Sequence, residues 1–163
     1  KADTVSGFRD ELFTLGREIK NEKQYSKYVD KIDNAVDQAK GFVGSKKFKV
    51  CFLMPSESGE HYVAGKSSFL ADVIKQIGCE PVGSEGNRFT PVNVEFLITS
   101  KPDVIVTAGD PTALLNDKRL ASLSAIQKKQ IIPIQADVVL RRGGRVDKLI
   151  EAIGAGIGRI GLN

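Results

Sequence analysis

The stretch "SGEHYVAGKSS" at 58–68 gathers side chains able to do chemistry: the carboxylate of Glu60, the imidazole of His61, the phenol of Tyr62 and the triplet Gly65-Lys66-Ser67. A glycine, four residues and then Gly-Lys-Ser/Thr is the spacing in which backbone amides wrap a nucleotide's phosphates and the lysine reaches them. Here Gly59 stands one residue too far from Gly65, and Glu60 occupies the glycine's place. A carboxylate there repels phosphate, and His61, Tyr62 and Val63 crowd the approach. Imidazole and phenolate are iron ligands, but two such residues fall short of a metal site, which is defined by ligand number and geometry. The plainer readings are Tyr62 as an apolar wall and His61 as a surface residue. Arg88, Arg141, Arg142 and Arg145 lie in two later loops and suit carboxylate-bearing ligands, although "LRRGGR" also reads as a solvated turn. Asp110 ends an apolar run, where it serves as a general base or, more simply, caps a helix starting at Pro111. With one histidine, no Ser-His-Asp spacing and no carboxylate pair across a loop, no enzyme is expected.

These residues need a scaffold. The chain has 163 residues, 41% apolar and 27% charged, which suits one globular domain with an appendage. The net charge of +4 is spread among alternating signs, and no tryptophan is present, so no nucleic-acid footprint is expected. Cys51 and Cys79 are too few for a disulfide framework or zinc site, though a single bond between them stays open. No run reaches the ~18 apolar residues of a membrane span. The opening "KADTVSGFRDEL" lacks an initiator methionine and reads as a processed or truncated piece.

Residues 4–41 read as one long helix, bent near its middle, with Phe8, Leu12, Leu15, Ile19, Tyr25, Tyr28, Val29, Ile32 and Val36 on one stripe. About 35 residues at ~1.5 Å each make a rod of ~50 Å, longer than a small domain is deep, so 1–44 is expected to be a strut beside the domain. From 45 to 163 strands and helices alternate. Strands are expected at 48–54, at "CEPVG", at "DVIVTAG" and at "QIIPIQ". Helices are expected at 67–77, over "TPVNVEFLITSK" with Thr90 as cap, over "DPTALLN" and "KRLASLSAIQKK" as one broken helix, and over the closing "GGRVDKLIEAIGAGIGRI". The alternation predicts an α/β, Rossmann-like lobe: a parallel sheet flanked by helices. Ligands of such sheets meet the loops beyond the strands' carboxyl ends, here 55–66, 84–89, 108–111 and 136–145.

Taken together, "VAGKSSFLADVIKQIGCEPV", "FTPVNVEFLITSKPDVIVTAG" and "LASLSAIQKKQIIPI" resemble the C-terminal half of the periplasmic substrate-binding proteins that serve ABC importers of ferric siderophores, haem and cobalamin. The resemblance covers the linking helix and nearly all of the following lobe. It implies a binding module with no intrinsic cofactor, which holds a metal chelate between two lobes. The partners it implies are an ABC permease in the membrane and an N-terminal lobe absent from this sequence. It places the protein in the periplasm or outside the cell, compatibly with a lipoprotein anchor. It makes Phe89 a ligand wall and Glu95 the residue that docks into arginines of the permease. With His61, Tyr62, Arg88, Arg142 and Arg145, Phe89 completes the expected ligand set. A linking helix without its other lobe would expose apolar surface and favour a homodimer. The competing reading is a nucleotide-binding α/β domain, enzyme or sensor, that uses the 58–68 loop.

Overall fold

The computed structural model describes residues 2–140 and 144–161; Arg141, Arg142 and Gly143 lie outside the described residues. Helices α1 (Val5–Glu18) and α2 (Glu22–Val43) come first. Strand β1 (Lys49–Met54) turns through a loop into β2 (Tyr62–Ala64), followed by α3 (Phe69–Gln76) and β3 (Glu80–Val82). Next are β4 (Phe89–Pro91), α4 (Val94–Ser100), β5 (Val104–Ala108) and α5 (Thr112–Leu115). A 3-10 turn (Lys118–Leu120), α6 (Ser124–Gln127), β6 (Ile131–Ile134), α7 (Ala136–Leu140) and α8 (Val146–Gly161) close the chain.

The six strands form one sheet in the order β4-β2-β1-β5-β6, with β3 also paired to β1. As expected, β3, β1, β5 and β6 run parallel. The antiparallel extension through β2 and β4 was not foreseen, and it makes the sheet mixed. One edge of β1 is shared: β3 covers Lys49, Val50 and Cys51, and β2 covers Leu53 and Met54. Alternation along the central strands sorts side chains to two faces. Val50, Phe52, Val104 and Val106 join α1, α2, α3, α7 and α8 in one core layer. Cys51, Leu53 and Ile105 join α4, α5, α6 and the 3-10 turn in the other. Cys51 and Cys79 are both free thiols in opposite layers, and burial pushes them up to about 12 and about 11 respectively.

The expected long helix is two helices. Lys20 adopts a left-handed φ of 54°, the Asn21 amide donates to Gly16 C=O at 2.8 Å, and the Lys20 amide donates to Arg17 C=O at 3.2 Å. That pair of bonds is the Schellman stop, built on lysine where glycine is usual. The stripe continues across the break because α2 turns back on α1. Helix α2 does not stand beside the lobe. It packs along α8, burying Val29, Ile32, Ala35, Val36, Ala39 and Val43. The Tyr28 hydroxyl accepts the Val146 amide at 2.9 Å and faces Asp147 Oδ1 at 3.4 Å, tying α2 to the first turn of α8. Burial pushes this phenol up to about 12.

Two expectations fail for local reasons. Residues 89–91 extend the sheet edge, so α4 begins later, where Asn93 Oδ1 accepts the Phe96 amide at 3.2 Å, and Thr90 is not its cap. Helix α3 begins at Phe69 and not at residue 67, because Ser68 caps it, its Oγ accepting the Ala71 amide at 3.2 Å.

The α2–α8 contact depends on Gly154, where an added Cβ would lie 2.6 Å from Ala39 Cβ and 2.8 Å from Ala39 Cα. Since backbone cannot move aside cheaply, Gly154→Ala is expected to cost about 1–3 kcal/mol. Gly41→Ala, at a helical position with nothing within 4 Å, should be neutral or stabilising. Urea denaturation of the two variants measures the contrast; equal midpoints would show that the helices do not touch there.

Candidate functional site

Strands β1 and β5 are buried on both faces, so polar groups accumulate where they end. Their carboxyl ends open into a hollow of about 760 Å³. Pro55, Ser56, Glu57, Gly59 and His61 line it from the β1–β2 loop, Ala108 and Asp110 from the end of β5, and Thr112, Ala113, Asn116, Asp117, Lys118 and Arg119 from the following segment. A second hollow of about 480 Å³ adjoins it, sharing Gly59, His61 and Arg119 and adding Ser58, Glu60 and residues near α4.

A chain of polar contacts fixes this wall. The Ser56 amide donates to His61 Nδ1 at 3.1 Å, so the ring proton sits on Nε2. His61 is almost wholly buried, 2% exposed. Its Nε2 lies 3.2 Å from Asp117 Oδ2, outside hydrogen-bond alignment. Asp117 in turn grips Arg119: Nε reaches Oδ1 at 3.0 Å and Oδ2 at 3.1 Å, and a terminal nitrogen reaches Oδ2 at 2.6 Å. The same terminal nitrogen donates to Gly59 C=O. The ring Ser56–His61–Asp117–Arg119–Gly59 thus clasps the two loops. Hydrogen bonds from Arg119 hold the Asp117 carboxyl down at about 2, below its usual value of 3.8. Asp110 Oδ1 accepts both the amide and hydroxyl of Thr112, at 2.8 and 2.6 Å, which lowers its pKa as well.

Of the residues singled out in the sequence, His61 and Asp110 line the main hollow. Tyr62 starts β2, half-buried, with its hydroxyl 3.3 Å from Glu60 Oε2. Arg88 is exposed and Phe89 pairs with Ala64 in the sheet and packs on the core, both away from the hollow. Arg145 is ion-paired with Asp137, and Arg142 lies outside the described residues. Glu95 is exposed in the first turn of α4. The residues that sequence reasoning missed are Ser56, Glu57, Asp117 and Arg119. Their signal was the break between "DPTALLN" and "KRLAS", where Asp117 caps the 3-10 turn by accepting the Arg119 amide at 2.9 Å. No group of three or more His, Cys, Asp or Glu placed to hold a metal occurs among the described residues. Among them, too, no helix is long and apolar enough to cross a membrane.

The glycine loop is closed to phosphate. The amides of its Gly-Lys-Ser end are engaged: Gly65 to Arg88 C=O, Lys66 to Ser84 C=O, Ser67 to Gly86 C=O and Ser68 to Gly65 C=O, at 2.8–3.0 Å. Lys66 pairs with Glu85. Gly65 is required by a backbone crossing, since its Cβ would fall 2.3 Å from Gly86 O. With these four amides taken and unable to cradle a phosphate, Gly65 and Lys66 serve the fold.

A family model described as periplasmic binding protein matches residues 1–138. A curated relative, the uncharacterized ABC transporter substrate-binding lipoprotein YvrC of Bacillus subtilis (strain 168), is 22% identical over 111 residues, 67% of this chain and 35% of the relative. Among solved structures, a possible iron-binding (periplasmic solute-binding) protein from Staphylococcus epidermidis ATCC 12228 superposes with a TM-score of 0.78 at 22% identity, over 96% of this chain and 64% of that one. An ABC-type Fe3+-hydroxamate transport system from Saccharomonospora viridis DSM 43017 gives 0.77 at 21% identity, over 92% and 55%. The chain therefore spans about a third of the curated relative and little more than half to two thirds of these structures.

The clasp has a pH signature. Asp117 is depressed in the fold, so its stabilisation is present above the unfolded value near 3.8 and disappears as the pH falls through about 2. Asp117→Asn is expected to cost about 1 kcal/mol at neutral pH, some 2–4 °C in melting temperature. The gap to the unsubstituted chain should close on acidification from pH 5 towards pH 2. Calorimetry across that range checks it; a pH-independent gap would mean that the carboxylate charge plays no part.

Proposed function

The chain belongs to the periplasmic binding protein family, and on that premise we propose that it is the C-terminal lobe and linking helices of the substrate-binding component of an ABC importer. On this reading it holds an iron chelate, haem or cobalamin against a second lobe and hands it to a membrane permease, in the periplasm or at the outer face of a cell membrane. The observation that carries the reading is the polar hollow at the carboxyl ends of β1 and β5, the place where sheets of this class meet ligands. The descriptions of the relatives, one an ABC substrate-binding lipoprotein, one iron-binding and one an Fe3+-hydroxamate transport system, support the choice of cargo.

The wall described above is one side of such a cleft, made rigid before ligand arrives. Preorganisation lowers the ordering cost of binding, and a ligand that touches both walls favours the closed state by its differential affinity. Phe13 and Leu15 on α1 and Ile19 just past its end remain exposed; the second lobe, or another copy of the chain, covers them on this reading. Glu95 projects from α4 beside exposed Ile98, one turn along. Its carboxylate is the group we assign to docking on cationic side chains of the permease, where a reversed charge is costly.

Hydrogen exchange tests the cleft. Amides of 55–61 and 110–119 are expected to slow when a ferric chelate, haem or cobalamin is added, and to be unaffected by magnesium-ATP. No slowing with any of the three cargo types would overturn the receptor reading. Docking is tested separately with the permease in lipid nanodiscs: Glu95→Arg should weaken binding about tenfold or more while leaving chelate protection unchanged. Docking at the unsubstituted affinity would remove Glu95 from that role.

A further inference from the structure

The amino ends of the parallel strands form a face of their own, at the other end of the sheet from the hollow. The Glu80 amide donates to Phe48 C=O at 2.9 Å, the Asp103 amide to Lys49 C=O at 2.8 Å and the Ile105 amide to Gln130 C=O at 3.0 Å. The segments entering β3, β1, β5 and β6 therefore lie side by side. Helices α2, α3, α4 and α6 each run into one of these strands, so all four end at this face.

Lysines crowd it. Lys46 and Lys47 precede β1, Lys40 and Lys75 stand in the last turns of α2 and α3, and Lys128 ends α6. Lys101 and Lys129 follow α4 and α6 with left-handed φ of 50° and 54°, a conformation that costs lysine more than glycine. All seven are exposed. The lysines ion-paired among the described residues are Lys66 and Lys148, both elsewhere. Cations complement helix carboxyl ends, each worth about half a negative charge, but those ends lie in the backbone and the ammonium groups project beyond them. Three carboxylates of the described residues share this end: exposed Glu80, Asp103, whose Oδ2 accepts the Lys49 amide at 2.7 Å, and Asp37, a turn back along α2. Seven lysines against three carboxylates already account for the chain's net charge of +4. Phe42, in the last turn of α2, adds an aromatic ring at the rim, 55% exposed.

We propose that this face rests on an anionic lipid membrane, with the hollow turned away from the bilayer towards the medium. Cations spread over a broad face, with an aromatic ring at its rim, match a surface whose own charge is spread. A nucleic-acid strand calls instead for cations that track its backbone along a groove. The location proposed above puts such a membrane within reach, and the inference does not depend on which cargo the hollow takes.

Cosedimentation of the 163-residue chain with vesicles tests it. Binding is expected to phosphatidylcholine vesicles containing about 30% phosphatidylglycerol at about 50 mM salt, and not to phosphatidylcholine alone; it should vanish at about 500 mM salt. Lys47→Gln combined with Lys128→Gln should weaken binding about tenfold or more. Lys23→Gln combined with Lys27→Gln removes the same charge roughly 20 Å or more away along α2, beyond the Debye length, and should change binding less than about twofold. The sequence has no tryptophan, so Ser45→Trp and Glu57→Trp each supply a single reporter. On anionic vesicles the emission of the first should move to the blue and that of the second should stay. Absence of binding to anionic vesicles, retention by soluble polyphosphate without vesicle binding, equal losses in the two double variants, or a blue shift at position 57 would each overturn the proposal. All four outcomes leave the receptor reading standing, since none of them probes the hollow's ligand.

Discussion

Strands β1 and β5 carry side chains to two apolar layers, with almost nothing left for water between them. That constraint organises the rest of the molecule. A strand buried on both faces needs its backbone groups paired sideways, so β3, β2 and β6 must flank it. It also needs helices above and below, which is why α2 and α8 close one face and α4–α6 the other. Polar side chains have no place along such strands and collect where the strands stop. The hollow is thus a by-product of the core, and its composition is free to vary without disturbing what supports it.

The clasp turns that permissive location into a defined surface. The 55–61 loop has no secondary structure to hold it, and neither does the break after α5. One carboxylate, Asp117, faces the buried His61 on one side and Arg119 on the other, and Arg119 reaches back to Gly59. Two segments beyond the carboxyl ends of β1 and β5 thereby hold each other. On the proposed reading, in which the lobe passes from cargo to permease, the wall does not have to be rebuilt at each step.

Much of this was legible in the sequence, and the failures have physical causes. The parallel strands were readable because unbroken apolar runs between glycines and helices permit little else. The strand at 89–91 was missed because Thr90-Pro91 imitates a helix start, while its pairing with β2 depends on tertiary contact. The break at 19–21 was hidden because a lysine took the left-handed position that glycine normally advertises. In the site, His61 drew attention by its chemistry and proved to be the buried pin of the wall. Asp117 and Arg119 look like an ordinary charged turn until the fold carries them 56 and 60 residues back, to His61 and Gly59. The expected arginine-rich wall did not assemble among the described residues: Arg88 sits elsewhere and Arg145 is neutralised by Asp137.

The outer strands of the sheet share one feature. Pro81 lies in β3, Pro91 in β4 and Pro133 in β6. Proline offers no amide hydrogen, so each rim of the sheet is interrupted as a template for another chain's backbone. An unfolded neighbour in a crowded compartment cannot zip onto this molecule as an added strand. The same prolines that shorten these strands guard the lobe against fibril-like growth.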